Sequence, residues 1–263
     1  MKNVGPQTGF MEPTVLRDDM VASLEHEMKG LVRSEHVGLA LRTVPRHEFV
    51  PLEASDGAYS DRSFDHRGTR ILSPSTVARL MEALDVREDD SVLVVGAGVG
   101  YTSAVLAEIV GEQNVHAVDI TRTMVYEARQ NLGSSGYGGV FVDCRDGADG
   151  LPEYAPFDRI LVEAAAIEPP RTLVEQLTAD GRLVIPLGGG IQRLTAVERA
   201  SDGTPDIGRE FGTVAFAPLL VDGEQSDTIE RNRTTREDRE FADRNAQARH
   251  GWEHEWIDWD GYS

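Results

Sequence analysis

Lysine occurs only twice in the 263 residues, at Lys2 and Lys29, and cysteine once, at Cys144. One thiol makes no internal disulfide, and Cys144, in the strand-like run VFVDC, is expected to be a buried, inert core residue. No window comes near the ~18 uninterrupted apolar residues that a membrane span needs, and no basic stretch followed by an apolar one opens the chain. The expectation is a soluble, cytoplasmic protein with no membrane partner. Arginine supplies nearly all the positive charge: Lys plus Arg number 26 against 45 Asp plus Glu, a formal charge of −19. Such a surface repels phosphate backbones at ordinary salt, which disfavours nucleic acid as a partner. It also suits a halophilic protein, because high salt screens self-repulsion while carboxylates hold water. Net charge is then a weak guide to substrate.

Three regions differ in texture. Residues 1–90 open with helical spacing, Leu16, Met20, Leu24 and Met28, then Val37 and Leu41 in a second helix that Pro45 and Pro51 end. Residues 52–75 are loop-like, and TVARLMEAL resumes a helix. Over residues 91–220, SVLVV, VHAVD, GVFVD, DRILVEA and GRLVIPLG read as strands, with helices near 101–110, 122–132 and 170–178. That alternation predicts an α/β fold with a mostly parallel, doubly wound sheet. RLTAVER and FGTVAFAP read as an added antiparallel edge pair. Residues 221–263 form a charged extension whose Trp252, Trp256 and Trp259 share one helical face. That face is expected to dock on the chain's own core, with a protein partner as the alternative.

The stretch VLVVGAGVGY carries the first sign of chemistry. Four apolar residues run into Gly96, Gly98 and Gly100, and a helical pattern starts at Tyr101. Glycines there let backbone approach a ligand, and the helix N-terminus adds a partial positive charge. A dinucleotide fingerprint would place its third glycine where Tyr101 stands, so the spacing favours another nucleotide-like cofactor. Asp119 ends the second strand about 20 residues past the turn, where an acid accepts ribose hydroxyl hydrogens. Asp146 and Gly147 end the third, where an adenine edge would lie and Asp146 would accept from its amine.

The segments VPRHEFVP (44–51), AYSD (58–61), RDG (145–147), APFDRILVEAAA (155–166) and LVEQLTADGRLVIPLGGG (173–190), with the glycine turn, resemble the protein-L-isoaspartate O-methyltransferase family of class I S-adenosylmethionine-dependent methyltransferases. The resemblance covers roughly residues 15–200 and implies a Rossmann-like fold with an N-terminal substrate-covering segment. It implies S-adenosyl-L-methionine as cofactor and isoaspartyl proteins or peptides as substrates, their α-carboxylate being methylated to start repair through a succinimide. The cofactor set so implied is Gly96, Ala97, Gly98, Gly100, Tyr101, Asp119, Ile120, Asp146 and Gly147, with no metal.

The chain departs from the family in three places. Val94 stands where the family has an acid that helps hold the cofactor's amino group, and Ala97 and Val99 replace small hydroxyl residues. The family's GxGQTISxP-like segment is here DHRGTRILSPSTVA, one residue short between its neighbours. Counting forward from AYSD puts Ser73 on the serine that positions the substrate carboxylate; counting back from Pro74 puts Leu72 there. Ser73 is chosen, because only a hydroxyl donates to a carboxylate, with helix N-capping as its competing role. Glu163 replaces a threonine before AAA and is expected to sit at the sheet's rim or in an ion pair, with attraction of the cofactor's sulfonium cation as the alternative.

Methyl transfer to a carboxylate needs no strong base, since the acceptor is ionised at pH 7. Placement and exclusion of water do the catalytic work. His47 and His66 are accordingly read as structural, while Arg67 and Arg70 can pair with the substrate carboxylate. Two other readings stay open: a methyltransferase for tRNA or a small molecule, and a cofactor-binding adaptor without turnover.

Overall fold

The structure, a computed structural model, describes residues 12–26 and 28–220. The tryptophan-bearing extension, residues 221–263, lies outside the described residues.

Two helices, α1 (Pro13–Glu25) and α2 (Glu35–Thr43), open the chain. Met20, Leu24, Val37 and Leu41 are buried as their spacing predicts, but α1 stops at Glu25 and Met28, in the turn beyond, is 92% exposed. Residues 52–75 are not all loop. A short hairpin, β1 (Phe64–His66) and β2 (Thr69–Ile71), turns through Arg67 and Gly68, both with positive φ, before α3 (Pro74–Leu84). That is the backbone of a type I′ turn.

The core alternates as expected: β3 (Val92–Val95), α4 (Tyr101–Val110), β4 (Val115–Asp119), α5 (Arg122–Ser134), β5 (Phe141–Cys144), β6 (Phe157–Val162), α6 (Arg171–Glu175) and β7 (Leu177–Leu187). Then come β8 (Gln192–Arg199) and β9 (Pro205–Val214). The sheet order is β5-β4-β3-β6-β7-β8-β9, parallel through β7 and antiparallel for the last two pairs. The edge strand β9 begins six residues before FGTVAFAP and ends at Val214, so Ala215–Leu220 leave the sheet.

All four residues of β3 are buried, and they alternate between two cores. Val92 and Val94 join α1–α5 on one face; Leu93 and Val95 join Phe157, Leu173, Val174 and Leu177 on the other. A strand buried on both faces reads as a continuous apolar run, which is why VLVV was legible. Cys144 is exposed, not buried: it ends the edge strand β5, and its Sγ lies 3.8 Å from the Ile120 carbonyl.

Two motifs of the N-terminal segment interlock. Arg46 is fully buried, donates from Nε to the Ala58 carbonyl at 2.8 Å and to the Leu72 carbonyl, and lies over the Tyr101 ring at 4.8 Å. His47 Nδ1 meets the Tyr59 hydroxyl at 2.7 Å, and Asp61 accepts the Ser75 N–H at 2.9 Å. These bonds fasten VPRH and AYSD to the hairpin and to α3. Both predicted structural histidines have partners, His66 through Glu127 at 2.6 Å.

Candidate active site

The chain runs β3, β4, β5 in one direction across the sheet, then returns to place β6 on the other side of β3. In an open parallel sheet this switch point leaves a crevice beyond the strands' carboxyl ends. Gly96 follows β3 and Glu163 follows β6 at that place, the Glu163 N–H donating to the Val95 carbonyl at 2.8 Å.

Gly96, Asp119, Ile120, Gly147, Glu163 and Ala164 line the resulting cleft, together with Met124 of α5 and Arg67, Gly68 and Thr69 of the hairpin. Gly98, Asp65, Arg70 and Leu72 line its adjoining half. Its last wall is the segment that leaves β9. The Ala165 N–H donates to the Ala217 carbonyl, and the Leu219 N–H to the Ala165 carbonyl, each at 2.8 Å. The next residue bonds the other way, Ala166 to the Pro186 carbonyl at 3.0 Å, so AAA threads between β7 and the closing segment.

Much of the glycine turn is tied within the protein. Gly96 and Ala97 donate to the Val118 carbonyl at 2.8 and 3.0 Å, and Gly98 donates to Asp119 Oδ2 at 3.0 Å. The turn therefore offers a ligand its shape and its close backbone approach. Gly96 needs its glycine for a φ of +93°, with Glu163 flanking it. Gly100 combines a φ of +91° with close packing: a Cβ there would stand 3.1 Å from Leu132. Gly147 is also forced, since a Cβ would come within 2.3 Å of Val95 Cγ1.

Of the nine expected cofactor residues, Gly96, Gly98, Asp119, Ile120 and Gly147 are brought together on the cleft. Ala97 and Tyr101 are buried behind it, Tyr101 against Phe49 with ring centroids 5.6 Å apart. Asp146 N-caps the turn that follows, its Oδ1 accepting the Ala148 N–H at 2.8 Å. Ser73 is the N-cap of α3: its Oγ accepts the Thr76 N–H at 3.3 Å and lies 2.9 Å from Thr76 Oγ1 and 3.2 Å from Ser75 Oγ. It faces a neighbouring depression that meets the cleft through Arg70 and Leu72. Leu72, the alternative from counting back, is the one on the cleft.

Arg67 pairs with Glu127 at 3.0 Å and Arg70 with Asp65 at 3.4 Å, so both guanidiniums stand at the mouth. Inside, burial raises Asp119 above the usual carboxylate range, opposed by the Thr121 and Gly98 N–H groups. Glu163 is neither at an open rim nor in an ion pair. Burial pushes its carboxyl up to about 8, the Thr102 hydroxyl opposing and the Asp119 charge adding. Its Oε1 is out of reach of solvent and has no hydrogen-bond partner among the described residues. Neither that burial nor the role of the hairpin and residues 217–220 as walls was legible in the local sequence.

These features suit an adenosine carrying a cation. Asp119 has lone pairs beyond the two its backbone donors use, and the orphaned Glu163 oxygen looks for a donor or a positive charge.

Residues 17–225 match the family model for protein-L-isoaspartate(D-aspartate) O-methyltransferase. A protein-L-isoaspartate O-methyltransferase of Aeropyrum pernix is 45% identical over 195 residues, 73% of this chain and 75% of that protein. A solved protein-L-isoaspartate O-methyltransferase is 27% identical with a TM-score of 0.64, over 76% of this chain and 64% of that one, a little under two thirds of its length. The Plasmodium falciparum beta-aspartate methyltransferase, solved in complex with S-adenosyl-L-homocysteine, matches in fold: TM-score 0.66 at 20% identity, over 78% of this chain and 98% of that one. The chain belongs to the protein-L-isoaspartate(D-aspartate) O-methyltransferase family.

Proposed function

We propose that the cleft binds S-adenosyl-L-methionine and that the chain is a protein-L-isoaspartate O-methyltransferase, esterifying isoaspartyl carboxylates of aged proteins and peptides. The observation that carries this reading is the convergence of Gly96, Asp119, Gly147 and Glu163 on one switch-point cleft with two arginines at its mouth. When bound, the cofactor supplies a methyl group on a positively charged sulfur; the methyl passes to a carboxylate oxygen and the C–S electron pair stays on sulfur.

Asp119 holds the ribose by accepting from its hydroxyls, and Gly147 and Ile120 shape the adenine wall, with Asp146 at its edge. Arg70 receives the incoming carboxylate. It lines the cleft, and Asp65 is a weak competitor at 3.4 Å because that carboxylate is 91% exposed. Ser73 acts at one remove, fixing the start of α3 next to Leu72 while its hydroxyl serves the helix cap. The hairpin and residues 217–220 keep water from the reacting atoms. No residue needs to move a proton, since the acceptor carboxylate is already ionised.

The acid-rich, lysine-poor composition supports work inside the cell at high salt. Among the described residues no helix is long and apolar enough to cross a membrane. The test is incubation with methyl-labelled S-adenosylmethionine and matched isoaspartyl and aspartyl peptides, in high and low salt. Alkali-labile label on the isoaspartyl peptide alone is expected; label on neither, or equally on both, overturns the reading. Label on tRNA or a small molecule would favour the substrate change that Leu72 in the cleft permits.

A further inference from the structure

The family's acid two residues before the first glycine is absent, and β3 cannot supply a replacement. Val94 is fully buried in the helix-side core, where a carboxylate would be stranded. On the neighbouring strand the opposite has happened. Glu163 follows β6 beside Gly96, its Cβ 3.4 Å from where a Cβ of residue 96 would stand. Its Oε1 is buried at the wall of the cleft without a partner among the described residues. A buried carboxyl oxygen without a partner is costly, and native proteins keep one where something else completes it.

We propose that Glu163 is a cofactor-binding residue whose carboxylate balances a positive charge at the methionine end of S-adenosylmethionine, replacing from β6 the acid missing at position 94. This rests on the cofactor reading above. The cofactor offers two such charges, the sulfonium and the α-ammonium, and the same carboxylate can meet either.

A consequence distinguishes this role from mere packing. With its carboxyl raised to about 8, Glu163 is mostly protonated at neutral pH in the empty protein. A cation held against it favours the ionised form, so binding expels a proton. The groups that face it are few. Asp119 on β4 raises it, the Thr102 hydroxyl on α4 lowers it, and the hairpin contributes Asp65, Arg67 and Arg70. Both arginines are more than half exposed and already paired, Arg67 with Glu127 and Arg70 with Asp65. The closing residues 217–220 bring no charge.

The experiment is calorimetry on the full chain at neutral pH in two buffers of different ionisation enthalpy, with three probes. S-adenosylmethionine carries both cations, S-adenosylhomocysteine only the ammonium, and 5′-methylthioadenosine neither. Proton release is expected with S-adenosylmethionine and not with methylthioadenosine; release with S-adenosylhomocysteine assigns the ammonium, and its absence the sulfonium. Glu163→Gln is expected to abolish the release and weaken S-adenosylmethionine roughly ten-fold or more while leaving methylthioadenosine unchanged, the loss of one charge-assisted bond. The unaltered chain provides a second readout: from about pH 6 to about pH 7 its affinity for S-adenosylmethionine rises by up to ten-fold, and that for methylthioadenosine stays flat. Equal weakening of all three probes by Glu163→Gln, or unchanged affinity for S-adenosylmethionine, overturns the inference alone. No binding of any probe by the unaltered chain overturns the cofactor reading with it.

Discussion

Asp119 Oδ2 accepts the Gly98 N–H at 3.0 Å, joining the end of β4 to the glycine turn, and the same carboxylate's Oδ1 takes the Thr121 N–H at 2.9 Å. One side chain thus fixes the turn and presents its remaining lone pairs to the cleft. Asp119→Ala removes both functions and is expected to weaken S-adenosylmethionine by about 100-fold, from charge-assisted bonds of roughly 1.5–3 kcal/mol. Asp119→Asn keeps an acceptor for Gly98 and should lose about ten-fold. Calorimetric affinities that do not fall would place the ribose elsewhere.

Glycines in this chain divide sharply by what surrounds them. Gly147→Ala drives a Cβ to 2.3 Å from Val95 in the central strand, and overpacking of that kind costs about 1–3 kcal/mol. Gly133, inside α5, has nothing within 4 Å of the Cβ it lacks, and Gly133→Ala should stabilise by about 0.5–1 kcal/mol. Urea denaturation of the two variants checks the pair, and shifts of the same sign would contradict the packing described.

Arg46 is the tie between the N-terminal segment and the hairpin. Its removal leaves the Ala58 and Leu72 carbonyls without their donor and strips a cation from the Tyr101 face. Arg46→Ala is expected to cost about 2–4 kcal/mol, each unmet buried polar group contributing roughly 1–3 kcal/mol. Arg46→Lys should not restore it, because a point-like ammonium cannot reach both carbonyls from one plane. Recovery by lysine in a denaturation series would sink this reading.

The raised Glu163 carboxyl also makes stability depend on pH. The folded chain keeps that proton up to about pH 8, whereas the unfolded chain releases it near the ordinary value of 4.5. Between those values the folded state binds more protons, so stability falls as pH rises, and the loss is complete above about 8. Glu163→Gln carries no such term. Its Tm relative to the unaltered chain should therefore climb between about pH 5 and about pH 9, by several degrees at constant high salt, given the ~2–4 °C per kcal/mol of a domain this size. A difference independent of pH would mean that the carboxyl ionises normally.

Much of this was legible in advance, for reasons that can be named. The buried strands announced themselves because VLVV and FDRILV face apolar layers on both sides, and α4 and α5 carry the period of a helix packed on one. Gly96, Asp119 and Gly147 were legible because a parallel sheet puts strand ends together at fixed intervals. The hairpin was not. Its turn uses Arg-Gly where Asn-Gly would be the signal, and Arg67 is held in place by Glu127, on a helix 60 residues away. The burial of Glu163 escaped because it depends on Thr102 of α4 and Asp119 of β4 being brought against it, which no local pattern encodes. Ser73 was selected for its chemistry, yet that hydroxyl is used by the nearest backbone N–H.

The most direct measurement of the whole account follows an aged peptide rather than the label. The purified chain, S-adenosylmethionine and a peptide with one isoaspartyl residue are incubated at high salt, and the peptide's forms are separated over time. A methyl ester at the isoaspartyl carboxylate, then a succinimide, then partial return to the normal aspartyl peptide is the predicted course. Persistence of the isoaspartyl peptide in a sample where calorimetry shows the cofactor bound would contradict it.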